Sequence, residues 1–245
     1  MQCSGHNAAL ATSVGRVSDS VAMHMSDGLL DAPTSLAFLA VAVLGVGVAL
    51  ARARGDLDDR TAPMAGLVAA FVFATQMLNF PVLPGVSGHL LGGALAAILV
   101  GPWVGALCVT IVLVLQSLLF ADGGVTALGA NITNMALIGT AAGYLVALAL
   151  RGLARRGKGG LAAVAFVSAL VNTVLASAGF VVEYGVGGQG GVGFGTVAAA
   201  VLGVHVLIGV GEGLITAATV TAVAAARPDL VHLLRGAPRK LELRS

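Results

Sequence analysis

The sequence contains few charged residues, and this scarcity excludes a water-soluble fold. Only 10% of its 245 residues are Asp, Glu, Lys or Arg, whereas a typical soluble domain carries roughly 25%. Cysteine is also scarce. Cys3 and Cys108 are the only two cysteines and form no CxxC pair, so neither a disulfide framework nor a thiolate metal site is indicated. An ATP-binding P-loop, GxxxxGK[ST], is absent, so this chain does not itself hydrolyse ATP in the usual way.

Long apolar runs take the place of the missing charges. They lie near residues 33–51, 62–80, 89–120, 128–150, 161–182 and 195–226. Most approach the roughly 20 residues that a membrane helix needs. The run 89–120 is too long for one span, and Gly101-Pro102 predicts a break in it, since proline removes a backbone donor and disfavours helix before it. The sequence therefore predicts an all-α, polytopic membrane bundle of about seven transmembrane helices.

Basic residues are clustered, and the clusters predict the orientation in the cell membrane, because cytoplasmic loops collect Lys and Arg. They follow the first run (Arg52, Arg54, Arg60), follow the run ending near 150 (Arg151, Arg155, Arg156, Lys158) and form the tail (Arg227, Arg235, Arg239, Lys240, Arg244). If residues 60 and 151 are both cytoplasmic, the chain between them crosses an even number of times, which requires two helices in 89–120. We expect an outer N-terminus, a cytoplasmic C-terminus, and His24 and His89 on the outer side.

Residues 1–22 are polar and mixed, without the apolar core of a signal peptide, although Ser20-Val21-Ala22 resembles a cleavage site. They are either a disordered extension or the result of a start codon assigned too early. We expect the second, with translation beginning at Met23. The chain then consists of one transmembrane metal-binding domain, 23–226, and a basic cytoplasmic tail, 227–245.

The metal-binding hypothesis rests on Met23-His24 as a chain terminus. A free α-amine, the deprotonated amide nitrogen of His24 and its imidazole form adjacent chelate rings, and one more nitrogen completes a square. Four nitrogens in a plane suit Ni(II) or Cu(II), and Co(II) similarly, whereas zinc prefers a tetrahedron. His89, at the end of a Pro/Gly-rich loop, is the natural fourth ligand. Each histidine taken alone is more often an amphipathic anchor at a membrane interface.

Five polar residues fall inside or at the edge of the apolar runs: Gln116, Asn131, Asn134, His205 and Glu212. All but Asn134 are candidates for a supporting layer around the metal. Polar groups in a membrane tend to face the bundle interior, because leaving them unpaired in lipid is costly. His205 and Glu212 are seven residues apart, which puts them on one helical face. These groups would either orient the metal ligands or form interhelical hydrogen bonds without metal contact. Nearer the outer surface, Asp27, Asp122 and Glu183 would either attract cations or remain solvated residues and helix caps.

Three stretches carry a family resemblance: Met-His-Met-Ser-Asp-Gly at 23–28, Phe-Pro-Val…Gly-Val-Ser-Gly-His-Leu-Leu-Gly-Gly at 80–93, and Phe-Ala-Asp-Gly-Gly-Val-Thr-Ala-Leu-Gly-Ala-Asn at 120–131. Together they resemble the cobalt/nickel-specific substrate-binding component of energy-coupling factor transporters, the CbiM/NikM family. The resemblance implies that the amine of Met23, the amide nitrogen and imidazole of His24, and the imidazole of His89 hold the metal. The 22-residue extension departs from the family, and it would acylate the Met23 amine if it were retained.

The resemblance also implies a function and partners. The chain would capture Co(II) or Ni(II) from the outer side as a transported ion, with no bound cofactor, no enzymatic activity and no nucleic acid partner. Energy would come from separate ATPase subunits through a transmembrane coupling protein, with a small accessory membrane protein. The metal would serve cobalamin synthesis or nickel enzymes.

Two other functions remain open on the residues alone. Gly85-Val86-Ser87-Gly88 reads as GxSG, and His205 would be the general base of a rhomboid-like intramembrane serine protease. A stand-alone metal carrier is the third reading. Uptake by cells that lack the partner subunits would favour the carrier, whereas dependence on Ser87 rather than His89 would favour the protease.

Overall fold

The computed structural model describes residues 24–83 and 86–235, and it leaves the side chains of 79–83, 86 and 87 undescribed. The predictions for residues 1–22, for Met23 and for the tail beyond residue 235 therefore lie outside the described residues. Everything below concerns the part of the chain that is described.

Helices make up nearly all of the described chain. They are α1 (Ala32–Ala53), α2 (Thr61–Gln76), α3 (Gly93–Val100), α4 (Pro102–Leu119), α5 (Leu128–Ala149), the short α6 (Arg151–Ala154), α7 (Lys158–Gly187) and α8 (Phe194–Ala226). Two turns of 3-10 helix, Pro228–Leu230 and His232–Leu234, follow α8. Five helices, α1, α4, α5, α7 and α8, are long and apolar enough to cross a membrane. The predicted all-α membrane bundle is confirmed.

The break predicted inside the run 89–120 is present. Gly101 ends α3 with a φ of 92°, a left-handed conformation that costs glycine little, and Pro102 begins α4, where its fixed φ suits the first helical turn. The predicted pair of spans is nevertheless unequal. The eight residues of α3 cover roughly 12 Å, so α3 alone cannot cross a hydrocarbon core of about 30 Å. The exact number of spans stays a prediction.

The short helix α3 lies at the centre of the bundle. All residues from 88 to 101 are buried, and α3 packs against α2, α4, α5 and α7. Such all-round burial suits its sequence, since Gly93–Val100 contains only Gly, Ala, Leu, Ile and Val. The chain that leads from His89 into α3 is therefore enclosed by protein, where an extended backbone is tolerated inside a membrane.

A β-hairpin precedes α3 where the sequence predicted a Pro/Gly-rich loop. Strands β1 (Asn79–Leu83) and β2 (Val86–His89) pair antiparallel, with Asn79 opposite His89. The backbone of His89 is thus fixed at the last rung of the ladder, immediately before the chain enters the bundle.

The two ends of the bundle differ in their residues. At one end, which we call the histidine end, Gly123 packs against the side chain of His24. At the other, the basic end, Gly101 packs against the ring of His232, and Arg52 lies 5.9 Å from the ring centroid of Trp103. The parity prediction puts the histidine end outside and the basic end in the cytoplasm.

The first part of α5 has an unusual helical geometry. Residues Ile132–Gly139 form a π-helix within the longer apolar helix. Wide helical turns of this kind are rare and often occur at functional sites. Here the π-helix begins directly after Asn131, and it carries Asn134 and Met135 beside the histidine end.

Candidate metal site

The segment that follows Met23 is pinned to the bundle by its backbone. The amide N–H of Met25 donates to Oδ1 of Asn131 at 3.2 Å, and Nδ2 of Asn131 donates back to the Met25 carbonyl at 3.3 Å. The amide of Gly124 donates to the same carbonyl at 2.8 Å. Because the Met25 side chain is also 1% exposed, the position of its neighbour His24 is set by burial and three hydrogen bonds.

A second set of contacts holds the start of α1 against the end of α7. Asp31 caps α1 by accepting from the amide of Thr34 at 2.8 Å, and its own amide donates to the carbonyl of Gly187 at 2.8 Å. Leu30 and Gly188 form an isolated antiparallel bridge. The N-terminal segment thus has fixed partners on both sides.

His24 and His89 meet at the histidine end. Their ring centroids are 4.4 Å apart with an interplanar angle of 53°, and the residues are 5% and 4% exposed. Nδ1 of His89 lies 2.8 Å from the carbonyl of Leu90. When that nitrogen carries the proton and donates it, Nε2 keeps the lone pair that a metal requires, which is the usual arrangement for a ligating histidine.

The loop between α4 and α5 closes over His24. Oδ1 of Asp122 lies 3.3 Å from Nδ1 of His24, and Asp122 is 7% exposed. Gly123 has a φ of 86°, and a Cβ there would approach the Cβ of His24 to 2.8 Å. A larger residue would both strain this backbone and displace His24. The loop therefore contributes a buried carboxylate and a close-fitting surface.

A small cavity lies beside the two histidines. Its volume is about 40 Å³, and its lining consists of His24, Met25, His89, Leu91, Asn131, Asn134, Met135, Ala176, Ser177, Phe180 and His205. A space of this size exceeds the roughly 10–15 Å³ that one water requires. It is therefore large enough for a single ion and too small for an organic substrate.

The candidate residues from the sequence fall into two groups. His24, His89, Asn131 and His205 all line the cavity. Gln116 and Glu212 do not. Gln116 is 0% exposed, and neither polar atom of its side-chain amide has a hydrogen-bond partner among the described residues.

Glu212 lies away from the cavity and binds backbone instead. Its carboxylate accepts from the amides of Leu91 and Gly92 at 2.8 and 3.0 Å. The shared helical face inferred for His205 and Glu212 therefore does not bring them to one site, since only His205 faces the cavity.

Asn134, a polar residue that the sequence places inside an apolar run, pairs with Glu183, which the candidate site from the sequence did not include. Nδ2 of Asn134 donates to Oε2 of Glu183 at 2.6 Å, and Glu183 is 1% exposed, so it is not the solvated residue considered above. The position of Glu183 at the edge of an apolar run, on the side that lacks Lys and Arg, was the signal that could have identified it. Asn134 itself lies on the π-helix.

Side chains alone supply two nitrogen ligands. Among residues 24–83 and 86–235, no three His, Cys, Asp or Glu side chains come together in a group that could hold a metal ion. The remaining ligands of a four-coordinate ion at His24 and His89 would therefore come from other groups, such as backbone nitrogens. The protease reading gains nothing from this geometry, because Nδ1 of His205 lies 2.7 Å from its own helix, at the carbonyl of Val201, and the side chain of Ser87 is outside the described residues.

Comparisons with known proteins agree with this architecture. The chain matches the family model for the cobalt uptake substrate-specific transmembrane region, CbiM, over residues 24–230. It is 41% identical over 222 residues to the putative fused nickel transport protein NikMN of Archaeoglobus fulgidus, covering 90% of this chain and 72% of that protein. It is 33% identical to the cobalt transport protein CbiM of Sorangium cellulosum, covering 87% and 96%.

A solved structure also shows similarity to a metal transport protein. The crystal structure of a transition metal transporter superposes with a TM-score of 0.76 at 27% identity, covering 83% of this chain and 93% of the other. The relatives are named as transport proteins and not as enzymes. Family match, identity and fold agree with the apolar helices in showing a multi-pass membrane transport component. The chain belongs to the CbiM family, the cobalt uptake substrate-specific transmembrane proteins.

Proposed function

We propose that this protein captures Co(II) or Ni(II) at the histidine end and delivers it to an ATP-driven importer of the energy-coupling factor type. The observation that carries the proposal is the pair of buried imidazoles of His24 and His89, 4.4 Å apart beside a cavity of about 40 Å³. Imidazole nitrogens suit both metals. The names of the relatives, which include a nickel and a cobalt transport protein, support the same pair of ions.

The ligands are four nitrogens: the amine of Met23, the amide nitrogen and Nδ1 of His24, and Nε2 of His89. Only Nδ1 of His24 can close a six-membered chelate ring with its own amide nitrogen. That nitrogen now faces Asp122 at 3.3 Å. Binding therefore rotates His24 and exchanges this contact for the metal, while the Asp122 carboxylate stays close enough to balance the charge of the ion.

The amine of Met23 is the ligand on which the four-nitrogen site depends. Its amine is free only if residues 1–22 are absent from the mature protein, and an amide in that position would be a far poorer donor. The family match begins at His24, which is consistent with a functional chain starting at Met23. An intact mass that included residues 1–22 in metal-loaded protein would contradict this ligand set.

Energy for transport comes from other chains. The sequence lacks an ATP-binding P-loop, so ATPase subunits, a transmembrane coupling protein and a small accessory membrane protein complete the importer. The histidine end faces the outside, and the basic end faces the cytoplasm, where the coupled subunits act. The imported metal supplies cobalamin synthesis or nickel enzymes.

Growth-dependent uptake of nickel and cobalt by the assembled importer tests the proposal. His89→Ala should abolish uptake, whereas Ser87→Ala, two residues earlier on the same strand, should leave it near the wild-type rate. Loss of activity in Ser87→Ala with normal uptake in His89→Ala would instead favour the protease. Uptake by this chain alone, in cells without the partner subunits, would favour a stand-alone carrier.

A further inference from the structure

Glu212 makes an unusual set of contacts in the middle of the bundle. The residue is 2% exposed. Oε2 accepts from the amide of Leu91 at 2.8 Å and from the hydroxyl of Thr173 at 2.9 Å. Oε1 accepts from the amide of Gly92 and from Nδ2 of Asn172, both at 3.0 Å. Each oxygen therefore faces two donors.

Two of these partners have a fixed role. The backbone amides of Leu91 and Gly92 can only donate, so each carboxyl oxygen of Glu212 accepts at least one hydrogen bond. The hydroxyl of Thr173 also lies 3.0 Å from the carbonyl of Ala169, and together with Asn172 it completes the contacts from α7. The two amides immediately precede α3, so the side chain of Glu212 binds the backbone where that helix begins.

These contacts continue directly into the candidate metal site. Leu91 and Gly92 follow His89 in the chain by two and three residues, and the imidazole of His89 binds the intervening carbonyl of Leu90. The carbonyl of Leu91 accepts from Nε2 of Gln76 at 2.8 Å. The chain between β2 and α3 is thus held by the carbonyl of Leu91 on α2 and by the amides of Leu91 and Gly92 on α8.

We infer that Glu212 is a positioning residue for His89. By fixing the amides of Leu91 and Gly92 it sets where β2 ends and α3 begins, and this in turn sets the direction of the His89 imidazole toward the metal. Asn172 and Thr173 hold the carboxylate from α7. The inference rests on the proposed function, since it concerns the geometry of the same four-nitrogen site.

A purely structural role predicts a different outcome. If Glu212 only joined α8 to the rest of the bundle, its replacement would lower thermal stability without changing how the folded protein binds metal. A positioning role predicts a lower metal affinity, and an altered ligand-field absorption spectrum of bound Ni(II), in protein that is still folded. The two roles are separated by measuring affinity and unfolding temperature on the same samples.

Glu212→Gln is the principal variant, because it keeps the shape but replaces one acceptor oxygen by an NH2 group that faces a backbone amide donor. In the chain that begins at Met23, verified by intact mass, Ni(II) affinity measured against a competing chelator should fall about 10- to 100-fold. The matched control is Val220→Ala on the same helix. Val220 is a buried core residue about two turns beyond Glu212 and makes none of the hydrogen bonds described above, so this change should lower the unfolding temperature and leave affinity within about twofold.

A double-mutant cycle with His89→Ala sharpens the result, since coupled residues show non-additive effects. If Glu212 acts through His89, Glu212→Gln should cause no further loss of the residual affinity in the His89→Ala background. An equal loss in both backgrounds would overturn the inference, as would an unchanged affinity and spectrum in the single variant. Normal binding by His89→Ala itself would instead overturn the proposed function.

Thr173→Val covers the case in which Glu212→Gln does not fold. It removes one donor and leaves the carboxylate in place, so we expect about a fivefold lower affinity, corresponding to one ordinary hydrogen bond. If Glu212→Gln cannot be purified and Thr173→Val binds Ni(II) as the wild type does, the inference is wrong.

Discussion

The histidine end and the basic end of this bundle use polar residues in opposite ways. At the histidine end, His24, Asp122 and Asn131 are buried and form hydrogen bonds over long sequence separations. At the basic end, the Arg227–Asp229 pair links neighbouring residues at the surface, where 58% and 41% of the two side chains are exposed. The first arrangement fixes geometry, whereas exposed ion pairs contribute little to stability.

The two ends of the bundle also differ in the sign of their charged residues. Among the described residues every Lys and Arg lies toward the basic end, which is the basis of the predicted orientation. The histidine end has acidic and neutral groups only, so a divalent cation approaching it would meet no like charge from these residues. In the proposed function, charge therefore orients the protein at one end and admits the cation at the other.

Removing a histidine from each end should give the largest contrast. His24→Ala or His89→Ala deletes a nitrogen ligand, and we expect Ni(II) and Co(II) affinity to fall at least about 100-fold. The matched control is His232→Ala at the basic end, where the ring contacts Tyr144 and should not affect binding. Titration of purified protein against a competing chelator measures all three variants. Equal losses at both ends would show that the difference between them is unrelated to metal binding.

Loosening the N-terminal segment should have a smaller effect. Asn131→Ala removes both side-chain hydrogen bonds to the backbone of Met25, and we expect about a tenfold loss of metal affinity because the ligands of the neighbouring residues lose their fixed position. Thr133→Val is the control on the same helix, since its hydroxyl bonds to the carbonyls of Gly129 and Phe38 instead. If the two variants bind equally well, Asn131 does not organise the site.

Acidification should weaken binding at the histidine end. Protons compete with the metal for the amine and the amide nitrogen, so affinity should fall as the pH is lowered from about 8, the ordinary pKa of an α-amine, toward about 6. Binding isotherms across this range, in buffers that do not chelate metal, measure the slope. An affinity that stayed constant down to pH 6 would argue against coordination by the amine and amide.

The basic end should show a separate and smaller response to pH. Burial lowers the pKa of His232 below its ordinary value of 6.5, the positive charges of Arg235 and Arg151 lower it further, and Asp56 opposes the shift. The unfolded chain therefore binds this proton at a higher pH than the folded protein. The stabilisation is complete above about pH 6.5 and is lost as the pH falls from there toward the lower folded value.

Thermal unfolding of the wild type and of His232→Gln tests this response. The wild type should lose stability as the pH falls below 6.5, and the variant should show a flatter dependence over the same range. Metal affinity at neutral pH should be equal in the two proteins. An identical pH profile would mean that His232 does not titrate in this way.

Much of the fold could be predicted because it depends on composition and local chemistry. Apolar runs gave the membrane helices, and the backbone limits of proline gave the break at Gly101-Pro102. The parity of the basic clusters predicted that His24 and His89 share one side. The helices and the break depend on the local sequence, and the parity prediction depends only on where the basic residues lie along the chain. The structure agrees with the predicted bundle and break.

Other features depend on tertiary packing and could not be read from the sequence. Strands β1 and β2 were predicted as a loop, because Pro81 disfavours a regular strand. Only the pairing between the two strands shows that they form a hairpin. The π-helix Ile132–Gly139 has an ordinary apolar helical sequence. Glu212 and His205 share a helical face by spacing, but they meet different neighbours because α3 begins beside Glu212.

The most direct test of the account measures Ni(II) binding to two forms of the chain, one beginning at Met23 and one retaining residues 1–22, each verified by intact mass. The account predicts one tightly bound ion, with the absorption spectrum of a square-planar four-nitrogen site, in the form that begins at Met23, and much weaker binding in the extended form. Equal affinity and identical spectra in the two forms would contradict it.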